Sequence, residues 1–305
     1  MLDAGELWAR AAARAGPELG QRLRCLGSIG RMQPDRHTWL AQAGPGQVVV
    51  KARAHAFAAE RAGWAARALP LLADRGYPVP EIVWHGPLDE RWFLVVQARL
   101  PGGPLGALAA PALDSLLGLV ELQAGVGSAT GGWDISWWIG VVLFEGWEGW
   151  WEHTDAAAPQ TATRLREFLE PARGHRLPSA DVVHHDLGLG NVLARDGKIT
   201  GIVDWDDAGI GCRAVDLASV LFDWHRLRLR GTGAADPGGG ERLTERITAI
   251  GGEAGLRCVI SYAAIARLGL PALRGDQPQV RMWDQVTRAV LDSLTRRVGL
   301  PWGAG

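Results

Sequence analysis

The pattern that most restricts this chain runs from His184 to Asp206. It reads His184-His185-Asp186-Leu187-Gly188-Leu189-Gly190-Asn191 and then Ile202-Val203-Asp204-Trp205-Asp206. Between Asn191 and Asp204, apolar Val192-Leu193-Ala194 is separated from Ile199 to Val203 by Asp196-Gly197. Asp-Gly between apolar runs is the strongest short-range hairpin signal. A chain that folds back there brings Asn191 and Asp204 side by side at the open end, with Asp186 just ahead of them. Taken singly, each of these residues fits an ordinary turn. As an ordered set they place two oxygen donors for a hard cation beside a carboxylate able to accept a proton. Phosphoryl transfer needs that set, because Mg²⁺ takes oxygen ligands and bridges the phosphates.

A chain of 305 residues is long enough for two lobes that share one interface. Apolar content of 47% with 21% charged residues fits a soluble enzyme, and a net charge of −1 gives no electrostatic footprint for nucleic acid. No apolar run approaches the roughly 18 residues that would span a bilayer. The N-terminal stretch from Met1 to Trp8 lacks the basic and apolar regions of a secretion signal. Cys25, Cys212 and Cys258 are widely spaced, form no CxxC and fit a reduced, cytoplasmic setting. The histidines show no HxxxH or HExxH spacing for zinc, and Ser179 has no GxSxG elbow to make it a nucleophile.

Lysine occurs only twice, at Lys51 and Lys198, against thirty arginines. In such a chain a lysine inside Val48-Val49-Val50-Lys51-Ala52 reads as selected for its compact charge. Strands are predicted at His37–Ala43, Gln47–Ala52, Glu81–His85 and Arg91–Gln97, with a glycine-punctuated loop at Leu26–Arg31 ahead of them. Helices are predicted at residues 3–15 and 55–72. The second of these carries Glu60, nine residues after Lys51 and placed to hold its ammonium. Gly27, Ser28 and Gly30 would form a loop over a nucleotide. Arg99-Leu100-Pro101-Gly102-Gly103-Pro104 reads as a linker, which divides the chain into a nucleotide-binding lobe, 1–98, and a catalytic and acceptor-binding lobe, 99–305. Beyond the linker, helices are predicted at 105–124, 133–153, 161–170, 214–230, 241–250, 252–268 and 279–297. A disordered-looking loop lies at 231–240.

These residues together resemble the aminoglycoside phosphotransferase family within the protein-kinase-like superfamily, over roughly residues 20–300. His184 to Leu193 is similar to that family's catalytic loop, Gly201 to Gly209 to its metal-binding strand end, and Asp216-Leu217-Ala218 to the start of the following helix. The resemblance implies an α+β, bilobal protein-kinase-like fold with a small β-rich N-lobe and a larger, mainly helical C-lobe. It implies that Asp186 orients or deprotonates an acceptor hydroxyl and that Asn191 and Asp204 hold Mg²⁺. It further implies that Lys51 with Glu60 sets the phosphates of ATP or GTP, that backbone around Gln97–Arg99 binds adenine, and that His184 and Asp216 are scaffolding. The family usually has glycine where His185 stands, so this loop is bulkier and can touch substrate; an exposed loop histidine without a role is the other reading. Asp216 follows Asp204 by only twelve positions, which leaves no room for a long activation loop.

Fifteen tryptophans are present, six of them from Trp133 to Trp151, where the resembling enzymes build their acceptor pocket. Glu145, Glu148 and Glu152 would form an acidic stripe on one helix, flanked by Trp147, Trp150 and Trp151. Acid beside indole suits a cationic ligand; tryptophans in a core and glutamates in solvent are the alternative. Two functions share the chemistry. One is phosphorylation of a small, cationic natural product or antibiotic, as in self-resistance. The other is phosphorylation of Ser or Thr in a precursor peptide, with the Trp-rich flank free to meet a partner protein. A nucleotide-binding scaffold without turnover is a third class, opposed by the presence of Asp186, Asn191 and Asp204.

Overall fold

The computed structural model describes residues 3–30, 33–54, 56–146, 149–231 and 234–298. The chain divides into two compact units, Met1–Gly103 with Val192–Ala208, and Pro104–Asn191 with Gly209–Gly305. The division expected after residue 98 therefore differs in two places. It falls after Gly103, and the hairpin Val192–Ala208 counts with the first unit. Local contacts explain both. Thr200 Oγ1 donates to the Pro101 carbonyl at 2.5 Å. Gly102, with φ +104°, lies so close to the hairpin that a Cβ there would sit 2.6 Å from the Ala194 carbonyl oxygen. Only glycine tolerates that approach and that φ.

In the first unit, helix α1 (Ala4–Glu18) is capped by Asp3, whose carboxylate accepts from Glu6 N at 2.7 Å. Its buried residues Leu7, Ala11 and Ala15 recur every fourth position and pack on a sheet core that includes Trp39, Val50, Leu94 and Val96. That antiparallel sheet contains β1 (Leu23–Ser28), β2 (Arg36–Ala43), β3 (Gly46–Arg53), β4 (Ile82–Pro87) and β5 (Phe93–Ala98), in the order β1-β2-β3-β5-β4. Helix α2 (Ala58–Ala73) buries Ala62, Ala65, Leu69 and Leu72. The two-residue β6 (Gly103–Pro104) spans the boundary in the chain.

The expected loop at 26–31 needs correction. Gly27 and Ser28 belong to β1, paired with Leu40 and Trp39 across a bulge after Cys25. Gly27 reads as a turn residue because bulges and turns draw on the same glycine freedom.

The second unit is mainly helical. It begins with α3 (Ala110–Leu122), α4 (Ile135–Gly140), α5 (Trp150–Ala157) and α6 (Pro159–Leu169). After the short strand β7 (Asp181–Val183), and after the first unit's β8 (Val192–Arg195) and β9 (Lys198–Ile202), come β10 (Gly209–Gly211), α7 (Ala214–Leu229), α8 (Gly239–Leu273) and α9 (Gln277–Val298). Helix α7 is buried on nearly every side, from Ala214 through His225, as expected of a helix at the centre of a core. Gly252 (φ 70°, ψ 179°) breaks α8 into the two helices the sequence predicts.

The loop before α8 is less open than its composition suggests. Leu108 N donates to Ala234 O at 2.6 Å, Asp236 N donates to Leu108 O at 2.9 Å, and Trp224 Nε1 donates to Asp236 O at 2.8 Å. Contrary to the expectation from apolar runs, α8 is long and apolar enough to cross a membrane by length and composition, and most of its apolar stretch is buried inside the structure.

One buried titratable group on α7 yields a stability prediction. Burial, helped by Arg296 and Arg228, lowers the His225 pKa to about 4. An unfolded histidine titrates near 6.5. Between those values the unfolded chain binds the extra proton, so stability falls as pH drops from about 6.5 to 4, by up to about 1.4 kcal/mol per pH unit. His225→Gln should flatten the urea-unfolding stability over that window. An unchanged slope would show that His225 stays solvated.

Candidate active site

The loop from His184 to Asn191 is held by two buried acids of α7. Asp216 is fully buried. Its Oδ2 accepts from His184 N at 2.9 Å and Gln123 Nε2 at 2.8 Å, and its Oδ1 accepts from His185 N at 2.8 Å. Burial raises its pKa, partly opposed by the His184 charge and these donors. Seven residues along the same helix, Asp223 Oδ2 accepts from Leu189 N at 2.7 Å, and its other oxygen pairs with Arg226. A spacing of seven is two helical turns, so both acids face the loop.

Between these anchors Asp186 is exposed. Asn191 Nδ2 donates to the Asp186 carbonyl at 2.8 Å and to its Oδ2 at 3.3 Å. That bond commits the amide hydrogens of Asn191 and leaves its carbonyl oxygen as the donor a hard cation would take. His184 is fully buried and its Nδ1 accepts from Asp186 N at 3.3 Å. Arg267, a residue the sequence reading did not single out, stacks on Phe222 at 5.1 Å and Trp283 at 5.3 Å. Burial lowers its pKa against the raising effect of Asp223 and Asp186.

In the first unit, β8 and β9 pair around Asp196-Gly197, with Val192 opposite Ile202. Asp204 follows with φ +69°. Three non-glycine residues among those described have positive φ, namely His185, Asp196 and Asp204. Asp196 is the hairpin turn, and the other two carry the candidate chemistry, where such strain tends to collect. Trp205 seats the segment: it is 4% exposed, donates from Nε1 to Ile202 O at 2.8 Å and meets Tyr77 edge-on at 5.7 Å.

The carboxylates that flank Trp205 hold the buried lysine. Lys51 Nζ lies 2.6 Å from Asp204 Oδ1 and 2.7 Å from Asp206 Oδ1, and Arg53 Nε lies 2.5 Å from Asp206 Oδ2. Burial alone would raise the Asp206 carboxyl. The Lys51 and Arg53 charges override it and hold the group well below the usual carboxylate range. For Lys51, burial works downward, and Asp206 with Asp204 lifts its pKa above the ordinary value.

This corrects the expected Lys51–Glu60 pair. Glu60 is exposed on α2, and the α2 residue that reaches this segment is Arg61, bonded to Asp207. With three carboxylates at 204, 206 and 207, a cation from α2 is attracted where a fourth carboxylate would be repelled. Asp204 keeps 46% of its side chain exposed and offers the hard oxygen that Mg²⁺ takes.

Other expected residues fare unevenly. Gly30 follows β1 with φ +70°. Gln97 is buried in β5, paired with Val49 and Ile82. The N–H groups of Ala98 and Arg99 donate to Glu81 O at 2.8 Å and Gln47 O at 3.1 Å, so those two donors are already committed.

The single helix expected to carry the acidic stripe is interrupted. A π-helical turn, Val141–Glu145, stops at Gly146 (φ 71°), and α5 starts after Gly149 (φ 64°). Glu145 and Glu152 are exposed on separate elements, and Trp147 and Glu148 lie outside the described residues. One face of Trp151 is taken by Arg166, which lies over the ring at 4.5 Å while pairing with Asp155.

The model of the phosphotransferase enzyme family (APH) matches residues 34–246. Viomycin phosphotransferase of Streptomyces vinaceus is 32% identical over 230 residues, 68% of this chain and 73% of that protein. A thermostable mutant of aminoglycoside phosphotransferase APH(4)-Ia, in a ternary complex with ADP and hygromycin B, superposes with a TM-score of 0.68 at 16% identity, over 92% of this chain and 98% of that one. The GDP and kanamycin complex of APH(2")-IIia gives a TM-score of 0.61 at 16% identity, over 94% of this chain and 99% of that one. The folds agree with the protein-kinase-like architecture, and by the span of the family match and the viomycin phosphotransferase relationship, this chain belongs to the phosphotransferase enzyme family.

Proposed function

We propose that this kinase-type transferase moves the γ-phosphoryl group of ATP to a hydroxyl of a small, cationic natural product of the antibiotic kind. The observation that carries the reading is Asp186, an exposed carboxylate on a loop fixed from below by Asp216 and Asp223. A carboxylate so placed takes the acceptor's proton as the new P–O bond forms. Asn191 and Asp204 would hold Mg²⁺, which when bound supplies charge to the phosphates. Lys51, kept charged and oriented by Asp206, would pair with the phosphates.

Support for the acceptor class comes from the 32% identical viomycin phosphotransferase, and support for a nucleotide donor from the ADP- and GDP-bound neighbours. GTP is thus a second donor to test.

Asp204→Ala should lower Mg²⁺-dependent ATP affinity by about tenfold or more in calorimetry, the cost of losing a charged metal ligand. Unchanged affinity would remove Asp204 from the metal site. ADP release measured with viomycin, aminoglycosides and Ser/Thr-rich peptides assigns the acceptor: turnover with antibiotics supports the reading, and turnover confined to peptides replaces it.

A further inference from the structure

Position 185 has a φ of +72°, in the left-handed region that residues other than glycine rarely adopt. Here a histidine occupies it, and the ring is built into its surroundings. His185 Nε2 lies 2.6 Å from Tyr262 Oη. The imidazole stacks on Tyr262 at 5.5 Å and 19°, and Trp133 meets it edge-on at 6.0 Å and 90°. Trp150 in turn stacks on Tyr262 at 5.9 Å and 28°. Tyr262 is buried at 4% exposure, whereas His185, Trp133 and Trp150 are half-buried. Ring surface is therefore presented in the residue immediately before exposed Asp186. The segment ahead of α4, the start of α5 and the middle of α8 all converge on a side chain that the backbone at 185 does not favour.

We propose that His185, with Trp133 and Trp150 and backed by Tyr262, is the ring-lined wall of the acceptor site, and that it selects acceptors with a protonated nitrogen close to the reacting hydroxyl. The inference rests on the assignment of Asp186 as the residue that receives the hydroxyl proton. A cation over an aromatic face is attracted by the ring quadrupole, more strongly where water is partly excluded. A left-handed histidine carries strain, and strain of this kind persists where the surroundings over-determine it and the site uses it.

The test compares wild type with His185→Asn, His185→Gly and Tyr262→Phe, with viomycin as probe and Asp186→Asn as blank. Asn and Gly both tolerate the left-handed backbone, so these variants delete the ring without imposing a new strain. In both His185 variants the KM for viomycin should rise about tenfold, the loss of one partly desolvated cation–ring contact. Their kcat and the KM for ATP should stay within about twofold and their Tm within a few degrees. Tyr262→Phe should move the viomycin KM the same way by a smaller factor.

An unchanged viomycin KM overturns the proposal. So does a fall in kcat with KM unmoved, which would make His185 a positioning residue for the loop. Wild-type turnover no faster than the Asp186→Asn blank, with viomycin and aminoglycosides alike, would overturn the Asp186 assignment and the wall with it.

Discussion

Asp186→Asn is expected to lower kcat by about 10³-fold, within the range that loss of a positioned proton acceptor produces. The substitution keeps the shape of the side chain and its ability to accept from Asn191 Nδ2, and the stronger bond from Asn191 goes to the backbone carbonyl at 2.8 Å. The loop is fixed by Asp216 and Asp223, which the change does not touch. Asp186 is exposed, so stability should stay within about 0.5 kcal/mol. The measurement is steady-state kinetics paired with ATP calorimetry. A large loss of kcat at unchanged nucleotide affinity assigns the proton step to Asp186, and wild-type turnover in the variant would refute that role.

Asp206→Asn should have the largest effect on the fold. It removes the carboxylate shared by Lys51 and Arg53, whose side chains are 5% and 7% exposed. Stranding buried cations costs about 3 kcal/mol or more. Two cations and the neighbouring Asp204 remain, so the lysine should be drawn toward Asp204 and the KM for ATP should rise.

The pH dependence has a definite sign. A carboxyl whose folded pKa is depressed stabilises fully above its unfolded value, about 3.9, and loses that contribution only in stronger acid. Lys51, raised above its ordinary value, contributes fully below about 10.4 and less in stronger base. The stability difference between wild type and Asp206→Asn should therefore be constant from about pH 5 to 8. Glu60→Gln, on exposed α2 surface, should change stability by less than about 0.5 kcal/mol. If Glu60→Gln were the damaging change and Asp206→Asn the silent one, the Lys51 pairing described here would be wrong.

Much of this site was legible before any coordinates. The hairpin followed from Asp196-Gly197, the carboxylate and amide of the His184–Asn191 loop from their order and spacing, and the scaffolding place of Asp216 from the family resemblance alone. Other features depend on three-dimensional competition that spacing alone does not resolve. Glu60 sits at a plausible distance from Lys51 in sequence, but Asp206 holds the lysine and Arg61 faces Asp207. A signal existed: Lys51 and Arg53 are two residues apart on a strand and so share a face, and two cations on one face call for an acid such as Asp206. Asp223 was equally readable as the residue two turns beyond Asp216. The Trp-rich stretch failed as one helix because Gly146 and Gly149 both take left-handed backbone. Glycine's low helix propensity hints at such breaks without locating them.

The most direct test is to incubate the protein with Mg²⁺, ATP and viomycin and look by ³¹P NMR for a phosphomonoester on the antibiotic, beside an Asp186→Asn control. The expected result is a new phosphomonoester signal that grows with ADP in the wild type and is lost in the control. ADP formed without a phosphorylated acceptor, or a signal equally strong in the control, would contradict acceptor phosphorylation through Asp186.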